Sequence, residues 1–149
     1  MPDEVFQFDN ADDSPGFSLW QVSSMWQRKI NAGLKPFGIT HAQFVLLASL
    51  AWLADNEKPI TQIDLAHHAK MDVMMTSNVL RTLEHKGLLE RQSHPTDTRA
   101  KSIVVTGKGR ELAKKTVTVV EAIDKAFFSV LGGDASKFNK QLLKLIAIN

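Results

Sequence analysis

The sequence predicts a mainly helical fold that carries one small β-hairpin. Apolar residues recur at helical spacing over most of the 149 residues. Polar cap residues, glycines and prolines divide this pattern into segments of helix length. Two short runs rich in β-formers, separated by turn-forming residues, lie between residues 88 and 105. Together these signals predict six helices, with the hairpin between the fourth and the fifth.

The composition is that of an ordinary globular protein with a single domain. Apolar residues make up 44% of the chain and charged residues 23%. The absence of cysteine excludes disulfides, thiolate metal sites and thiol redox sensing, and is compatible with a reducing cytoplasm. The longest apolar run is too short to span a bilayer, and the acidic N-terminus is unlike a secretory signal. We therefore expect a cytoplasmic protein.

The net charge of +2 conceals an asymmetry along the chain. Five of the 16 acidic residues lie before Phe17, where there is no lysine or arginine. The chain from Phe17 onward contains the other 11 acidic residues and all 18 lysines and arginines, so it has a net charge of +7. A basic body fits a polyanionic partner. An equally simple interpretation is an acidic tail that offsets a basic body.

Residues 1–16 form an acidic segment that ends in Ser14-Pro15-Gly16. This composition predicts a mobile tail or a loosely docked arm. Phe6 and Phe8 alternate with polar residues, which favours packing of the arm on a neighbouring subunit.

Two helices follow the arm. The first is predicted over residues 17–34 by the spacing of its apolar residues, and it ends before Lys35-Pro36. The second is predicted over residues 40–55, because Thr40 and Gln43 match the capping-box pattern. Since the second helix is apolar on most of its surface, we expect it to be buried scaffold.

The next two short helices have the order and spacing of a helix-turn-helix. Thr61 and Asp64 give a second cap signature, which opens a helix that ends near Lys70. Asp72 caps the following helix. Gly87 ends that helix because glycine readily adopts the left-handed conformation found there.

The helix after Asp72 divides into two faces. Its inward face is predicted from i, i+3, i+4, i+7 spacing and comprises Thr76, Val79, Leu80 and Leu83. Its outward face comprises Val73, Met74, Ser77, Asn78 and Arg81.

The outward face suits the major groove of a DNA duplex. Asn78 can pair bidentately with adenine, and Arg81 can reach guanine or a phosphate. Ser77 can donate to either kind of base, while Met74 and Val73 can contact a thymine methyl group. The alternative is a solvated helix face. Apolar side chains at an exposed helix start favour a partner over that alternative.

A β-hairpin with a basic tip is predicted directly after this helix. Its strands are Leu88–Gln92 and Lys101–Val105, and the turn formers Pro95, Asp97 and Thr98 lie between them. His94, Arg99 and Lys101 surround Asp97, whose carboxylate can hold the Arg99 guanidinium in one direction. A fixed arginine at a hairpin tip suits a narrow minor groove. The alternative is an ordinary surface ion pair.

The C-terminal third predicts two more helices. Thr106 is expected to cap a long helix to about Leu131, and Gly132-Gly133 to break it. Asp134 is then expected to cap a last helix, whose apolar face comprises Phe138, Leu142, Leu145 and Ile146. Since the helix-turn-helix and hairpin do not need the terminal helices to cover their core, these helices are expected to build a shared dimer interface.

Two motifs carry a resemblance to a known family. One is Leu83-Glu84-His85-Lys86-Gly87-Leu88-Leu89-Glu90-Arg91. The other is Asp97-x-Arg99 with Lys101, followed by Val105-Thr106-Gly107-Lys108-Gly109. In these motifs, and in the order of elements from the first helix to the end, the chain resembles the MarR family of bacterial transcription regulators.

The resemblance implies a homodimer that binds a palindromic DNA operator. It implies a winged helix-turn-helix domain over residues 40–106, and dimerisation helices over 17–39 and 107–149. The residues expected to contact DNA are Gln62, Val73, Met74, Ser77, Asn78, Arg81, Asp97, Arg99 and Lys101. The chain departs from the family at two positions: Thr98 replaces a common second arginine, and Asn78 replaces a frequent basic residue.

The resemblance also implies a small aromatic or lipophilic effector. Plausible lining residues for its pocket are Trp20, Trp26, Phe44 and Met71, for which core packing is the alternative. No cofactor or metal site is expected, because the adjacent His67 and His68 point in different directions on a helix and no acid-rich ligand set accompanies them.

The sequence favours one class of function over two others. A ligand-responsive transcriptional regulator, acting as a repressor, fits the motifs best. A winged-helix module that binds protein and not DNA shares the predicted fold and is the alternative. An enzyme is not expected, because no nucleophile–base pair, phosphate-binding loop or carboxylate pair is present.

Overall fold

The computed structural model describes residues 5–54, 58–93, 96 and 101–149. In this part of the chain, six α-helices and one two-stranded hairpin occur in the predicted order, which confirms the mainly helical winged fold. The helices are α1 (Pro15–Leu34), α2 (His41–Leu53), α3 (Gln62–Ala69), α4 (Val73–His85), α5 (Gly107–Phe128) and α6 (Ala135–Ala147). The strands are β1 (Leu89–Ser93) and β2 (Lys101–Val105). Short 3₁₀ turns occupy Ala11–Asp13, Lys35–Phe37 and Ser129–Asp134.

Helix α1 begins two residues earlier than predicted. The Ser14 side chain accepts a hydrogen bond from the Phe17 backbone N–H at 3.3 Å, and Pro15 is the first helical residue. Proline suits this position because its missing N–H would have no partner inside the helix. Ser14-Pro15-Gly16 is therefore the start of a helix rather than the end of an arm.

Both predicted capping boxes are present. In α2, the Thr40 hydroxyl accepts from the Gln43 N–H at 3.3 Å, and the Gln43 side chain accepts from the Thr40 N–H at 3.2 Å. In α3, the corresponding distances between Thr61 and Asp64 are 3.2 and 2.9 Å. These bonds satisfy backbone donors that have no partner inside the helix.

Helix α2 lies at the centre of the core, as its apolar sequence predicts. Leu46, Leu47 and Leu50 are fully buried. The other fully buried apolar side chains come from α1, α3, α4 and β1, and are Ile30, Leu34, Leu65, Leu80, Leu83 and Leu89. Burying each such side chain contributes about 1.5–3 kcal/mol. The helix-turn-helix is therefore held by a core that this chain supplies itself.

The hairpin is antiparallel and pairs Leu89 with Val105 and Arg91 with Ile103. It is joined to the helices by a hydrogen bond from the Ile103 N–H to the Ile60 carbonyl at 2.7 Å. The predicted turn at its tip falls in residues 94–100, of which only Thr96 is described.

Two glycines allow close contacts along the C-terminal part of the fold. A Cβ on Gly109 would lie 2.0 Å from the Leu88 carbonyl oxygen, so the start of α5 packs directly on the chain that leads into β1. A Cβ on Gly33 would lie 2.4 Å from Ile123 Cδ1, where α1 and α5 cross.

The end of α5 differs from the prediction. The helix stops at Phe128, and a 3₁₀ turn follows in which Gly132 has φ 55° and ψ −129°. Asp134 makes no side-chain cap for α6, so that prediction is wrong. The physical reason is that Asp134 has helical φ and ψ values, whereas a capping residue needs an extended conformation.

Helix α6 buries none of its residues within the chain. Its apolar face is present as predicted: Phe138, Leu145 and Ile146 are exposed and Leu142 is half-buried. Among the described residues, no single helix is long and apolar enough to cross a membrane. Only α1 with its 3₁₀ extension, taken together with α2 across a bend of 74°, meets that test of length and composition.

Candidate nucleic-acid interface

Helix α4 begins at a well-formed cap. The Asp72 carboxylate accepts from the Met75 N–H at 3.0 Å, and the Thr76 hydroxyl donates to the Asp72 carbonyl at 2.8 Å. The two predicted faces of the helix are confirmed: Thr76, Leu80 and Leu83 are buried and Val79 is half-buried. The first turn of α4 is therefore capped at its N-terminus, and its inner face packs on the core.

The outward face of α4 is apolar at its start and polar further along. Met74 is 73% exposed and Val73 is 50% exposed, while Asn78 and Arg81 are exposed one and two turns later. Ser77 lies at the edge of this face and is half-buried. The face carries a single cation and no acid, so it presents methyl groups, one amide and one guanidinium.

Asn78 and Arg81 are neighbours on this face. Arg81 Nη1 donates to Asn78 Oδ1 at 3.4 Å. Since a guanidinium can only donate, the amide oxygen of Asn78 must be the atom that faces Arg81. The amide NH₂ group therefore points away from Arg81, and the oxygen keeps a second lone pair for another donor.

Two more exposed apolar residues lie in the helix-turn-helix and were not among the predicted DNA contacts. Met75 is 47% exposed in the first turn of α4, and Ile63 is 56% exposed on α3. Ile63 lies off the buried face of α3, where Leu65 and Ala66 are buried, and that spacing was a signal that it points outward. Gln62, the first residue of α3, is half-buried.

The wing is described only at its base. Asp97 and Arg99, predicted to contact DNA, and His94 lie outside the described residues. Lys101 is exposed at the start of β2. Arg91 on β1 is half-buried, with its Nε 3.9 Å from a Glu84 carboxylate oxygen. Arg91 Nε and Nη2 find no hydrogen-bond acceptor within the described ranges.

The C-terminal end of α4 is held by several polar contacts. Gly87 has φ 74°, as predicted for a left-handed helix end. Its N–H donates to the Glu84 carbonyl at 2.9 Å, and the Leu88 N–H donates to the Leu83 carbonyl at 3.0 Å. This pair of bonds is a Schellman motif. The Thr106 hydroxyl, at the start of α5, donates to the Gly87 carbonyl at 2.7 Å.

The four residues predicted to line an effector pocket lie in different environments. Phe44 is in the buried core, and Trp26 and Met71 pack against that core. Trp20 is 70% exposed on α1.

A polar junction joins α1, α2 and α5 beside this core. Trp26 Nε1 donates to Asp124 Oδ1 at 2.7 Å, and the Trp26 ring meets His41 edge-on with ring centres 4.9 Å apart. Burial lowers the pKa of His41, and the nearby Asp124 carboxylate opposes that change. The protonated form of His41 is therefore disfavoured in the folded chain.

Two cavities lie close to the predicted dimerisation helices. One, of about 450 Å³, is lined by Lys29 of α1 and by Ile123, Ala126 and Phe127 of α5. Another, of about 510 Å³, is formed by the arm and the start of α1, with Phe6, Phe8 and Phe17 among its lining residues. No group of three or more His, Asp or Glu side chains that could hold a metal ion occurs in the described part of the chain.

Comparisons with known proteins place these features in one group. The MarR family model matches residues 39–101. An uncharacterized HTH-type transcriptional regulator, YdcH of Bacillus subtilis, is 42% identical over 123 residues, which are 83% of this chain and 84% of that protein. The HTH-type transcriptional repressor Rv2887 of Mycobacterium tuberculosis is 30% identical over 135 residues, which are 90% and 94% of the two chains.

Solved structures agree with these sequence matches. The DNA complex of MepR from S. aureus matches with a TM-score of 0.82 and 26% identity, over 91% of this chain and 98% of that one. CouR from Rhodococcus jostii, solved with bound p-coumaroyl-CoA, matches with a TM-score of 0.80 and 26% identity, over 95% of both chains. The fold, the helix-turn-helix and the base of the wing are thus those of known transcriptional regulators.

Proposed function

Since this chain belongs to the MarR family of transcriptional regulators, we propose that it acts as a cytoplasmic homodimer. The homodimer binds a palindromic operator as a repressor and responds to a small aromatic or lipophilic effector. Residues 40–106 form the DNA-binding domain, and residues 17–39 and 107–149 pair the two copies. The observation that carries the proposal is helix α4. It is capped at Asp72, packs its inner face on the core and leaves Met74, Asn78 and Arg81 exposed on its outer face.

Major-groove reading follows from the chemistry of that face. Asn78 can give adenine the bidentate pair that its major-groove edge requires. Met74 and Val73 offer apolar surface to a thymine methyl group, and Arg81 reaches guanine or a phosphate. Gln62 at the start of α3 and Lys101 at the base of the wing contact the flanking backbone. We propose that Asp97 holds Arg99 for insertion into the minor groove.

Pairing of two copies is supported by helix α6. It has 13 residues and buries none of them in its own chain. An isolated helix of this length is marginal in water, so its stability has to come from packing. Helix α1 offers matching apolar surface, because Leu19, Trp20 and Met25 are exposed on it.

The cavity between α1 and α5 supports an effector site. Its lining combines the Lys29 ammonium with the apolar side chains of Ile123 and Phe127, which suits a compound with a ring and a carboxylate. Trp20, Trp26, Phe44 and Met71 remain the residues predicted from sequence for the same role. CouR was solved with an aromatic acyl-CoA, and Rv2887 is a repressor.

Selection of bound duplexes from a random pool tests the proposal. Purified protein should enrich a palindrome with half-sites about one helical turn apart. Its affinity should fall steeply with salt, because phosphate contacts release counterions. Asn78→Ala should relax the preference at one position of each half-site, whereas Arg99→Ala should weaken binding to all duplexes. Failure to retain any duplex at low salt would reject DNA binding.

A protein-binding winged helix remains the second candidate, because the α4 face starts with exposed methyl groups. Met74 is the most exposed of these residues. This candidate would be favoured if a partner protein binds the chain and no duplex displaces that protein. Met74→Asp should then abolish its binding. Enrichment of a palindromic duplex would exclude it as the main function.

A further inference from the structure

Lys86, the half-buried residue directly after α4, has its ammonium group bound to backbone and side-chain acceptors of the protein. Its ammonium donates to the Gly38 carbonyl at 2.5 Å and to Gln43 Oε1 at 3.1 Å. These acceptors lie 48 and 43 residues earlier in the sequence. A basic residue next to a recognition helix would ordinarily be taken for a phosphate contact. The structure shows it bound to the corner between α1 and α2.

Both acceptors are themselves fixed. Gln43 Oε1 also accepts from the Thr40 N–H, so the capping box holds it in place. Gly38 has φ 72° and closes the 3₁₀ turn that ends α1, which fixes the direction of its carbonyl. Hydrogen bonds from a charged donor are stronger than neutral ones, so the two fixed acceptors hold the Lys86 ammonium at the α1–α2 corner.

The same end of α4 is held from a second direction. Lys108 Nζ, in the first turn of α5, donates to the Lys86 carbonyl at 3.0 Å. The side chain of Lys86 thus faces the α1–α2 corner while its backbone is held by α5. Lys86 connects the recognition helix to both ends of the chain that are proposed to pair in the dimer.

We infer that Lys86 is a positioning residue that sets the angle at which α4 presents Asn78 and Met74 to DNA. The inference rests on the proposed DNA-binding function. Helix α4 is about 20 Å long, so a tilt of about 3° at one end moves the other end by about 1 Å. Hydrogen bonds to base edges tolerate a distance range of only about 0.5 Å. A small loss of restraint at Lys86 therefore removes base contacts and leaves backbone contacts.

The test compares two duplexes of equal length and composition, one selected by the wild-type protein and one scrambled. Lys86→Met keeps the aliphatic part of the side chain and removes the ammonium. Affinity for the selected duplex should fall about tenfold, the size of one lost base contact, while affinity for the scrambled duplex changes less than about twofold. The slope of log affinity against log salt should stay as in the wild type, because no phosphate contact is lost. Lys114→Met, an exposed lysine further along α5, is the matched control and should keep the wild-type ratio of affinities.

Gln43→Glu sharpens the test. Glutamate preserves the capping box and offers Lys86 a full negative charge. In that background, Lys86→Met should lower the ratio of affinities for the selected and scrambled duplexes more than it does in the wild type. A variant that only loses stability would not change this ratio.

Three results would overturn the inference. Equal loss on both duplexes with a shallower salt slope would make Lys86 a phosphate contact. An unchanged ratio of affinities would show that the contact of Lys86 with Gly38 and Gln43 does not affect sequence recognition. A largely unfolded Lys86→Met protein would show that this contact serves folding. A wild-type protein that selects no duplex would reject the proposed function itself, before any variant is made.

Discussion

The middle of the chain and its ends differ in how they cover their apolar surface. The helix-turn-helix and hairpin share one core with Leu47 and Leu50 of α2 at its centre, and α1 and α5 add Ile30, Leu34, Ala113 and Val120 to it. The prediction that this core needs no cover from the terminal helices is therefore wrong, because α1 and α5 each bury part of their apolar face in it. Helix α6 buries nothing, and the N-terminal half of α1 leaves Leu19 and Trp20 exposed. The helix-turn-helix and hairpin thus lie in a core that is completed within the chain, whereas α6 and the N-terminal half of α1 leave apolar surface uncovered. Four predictions sharpen this contrast, in order of decreasing effect.

The largest effect is expected at the ends. The double variant Leu145→Asp/Ile146→Asp should raise the dimer dissociation constant about 1000-fold or more, because burying each of the two new carboxylates costs at least about 2 kcal/mol. Sedimentation analysis would measure it. Lys140→Asp, on the opposite face of α6, should leave dimerisation nearly unchanged. Persistence of the wild-type dimer in the double variant would place the interface elsewhere.

Within the core, two residues of the same helix should behave in opposite ways. Leu50 is fully buried and Trp52 is 76% exposed. Leu50→Ala should lower the free energy of unfolding by about 2–5 kcal/mol, through lost transfer energy and a cavity. Trp52→Ala should change it by about 0.5 kcal/mol or less. Denaturant titrations at one protein concentration would compare them, and equal losses would contradict the single-chain core.

The contact between α5 and the chain before β1 should show a smaller cost. Gly109→Ala places a methyl group against the Leu88 carbonyl and should destabilise by about 1–3 kcal/mol through forced shifts in packing. Gly107→Ala is the matched control, because a Cβ there meets nothing within 4 Å. A thermal melt in which the two variants coincide would show that α5 packs less closely than described.

The smallest effect is expected in the pH dependence of stability, at His41 in the polar junction of α1, α2 and α5. Since the folded chain lowers the pKa of His41, the unfolded chain binds the proton more readily. Stability should therefore be unaffected by His41 above its ordinary pKa and should fall as pH drops through that value. His41→Gln should lose less stability between neutral and mildly acid pH than the wild type. Urea titrations would measure the free energy of unfolding at each pH. Equal losses in the wild type and in His41→Gln would show that His41 does not cause the pH dependence.

Local patterns predicted much of the fold. The faces of α4, both capping boxes and the left-handed Gly87 depend on residues within about seven positions of one another, so the sequence shows them directly. The failed Asp134 cap depends on the backbone angles that the preceding 3₁₀ turn imposes, which the side-chain pattern does not encode. The early start of α1 was missed because Ser14-Pro15 reads equally well as a turn.

Long-range geometry accounts for what the sequence could not predict at the site. The outward residues of α4 follow from helical period, but the role of Lys86 depends on acceptors more than 40 positions away. Asn78 and Arg81 were predicted as independent readers, and the structure shows that they contact each other. The wing residues Asp97 and Arg99 remain predictions, since they lie outside the described residues.

The junction between β2 and α5 has a mechanical consequence. One residue, Thr106, separates the last strand residue from the first helical residue, and Gly109 keeps the helix tight against the chain before β1. The 22 residues of α5 form a rod about 33 Å long, so a rotation of about 5° at its far end displaces the strand end by about 3 Å. The helix is thus a lever whose short connection permits little slack, so a rotation of its C-terminal half moves the base of the hairpin.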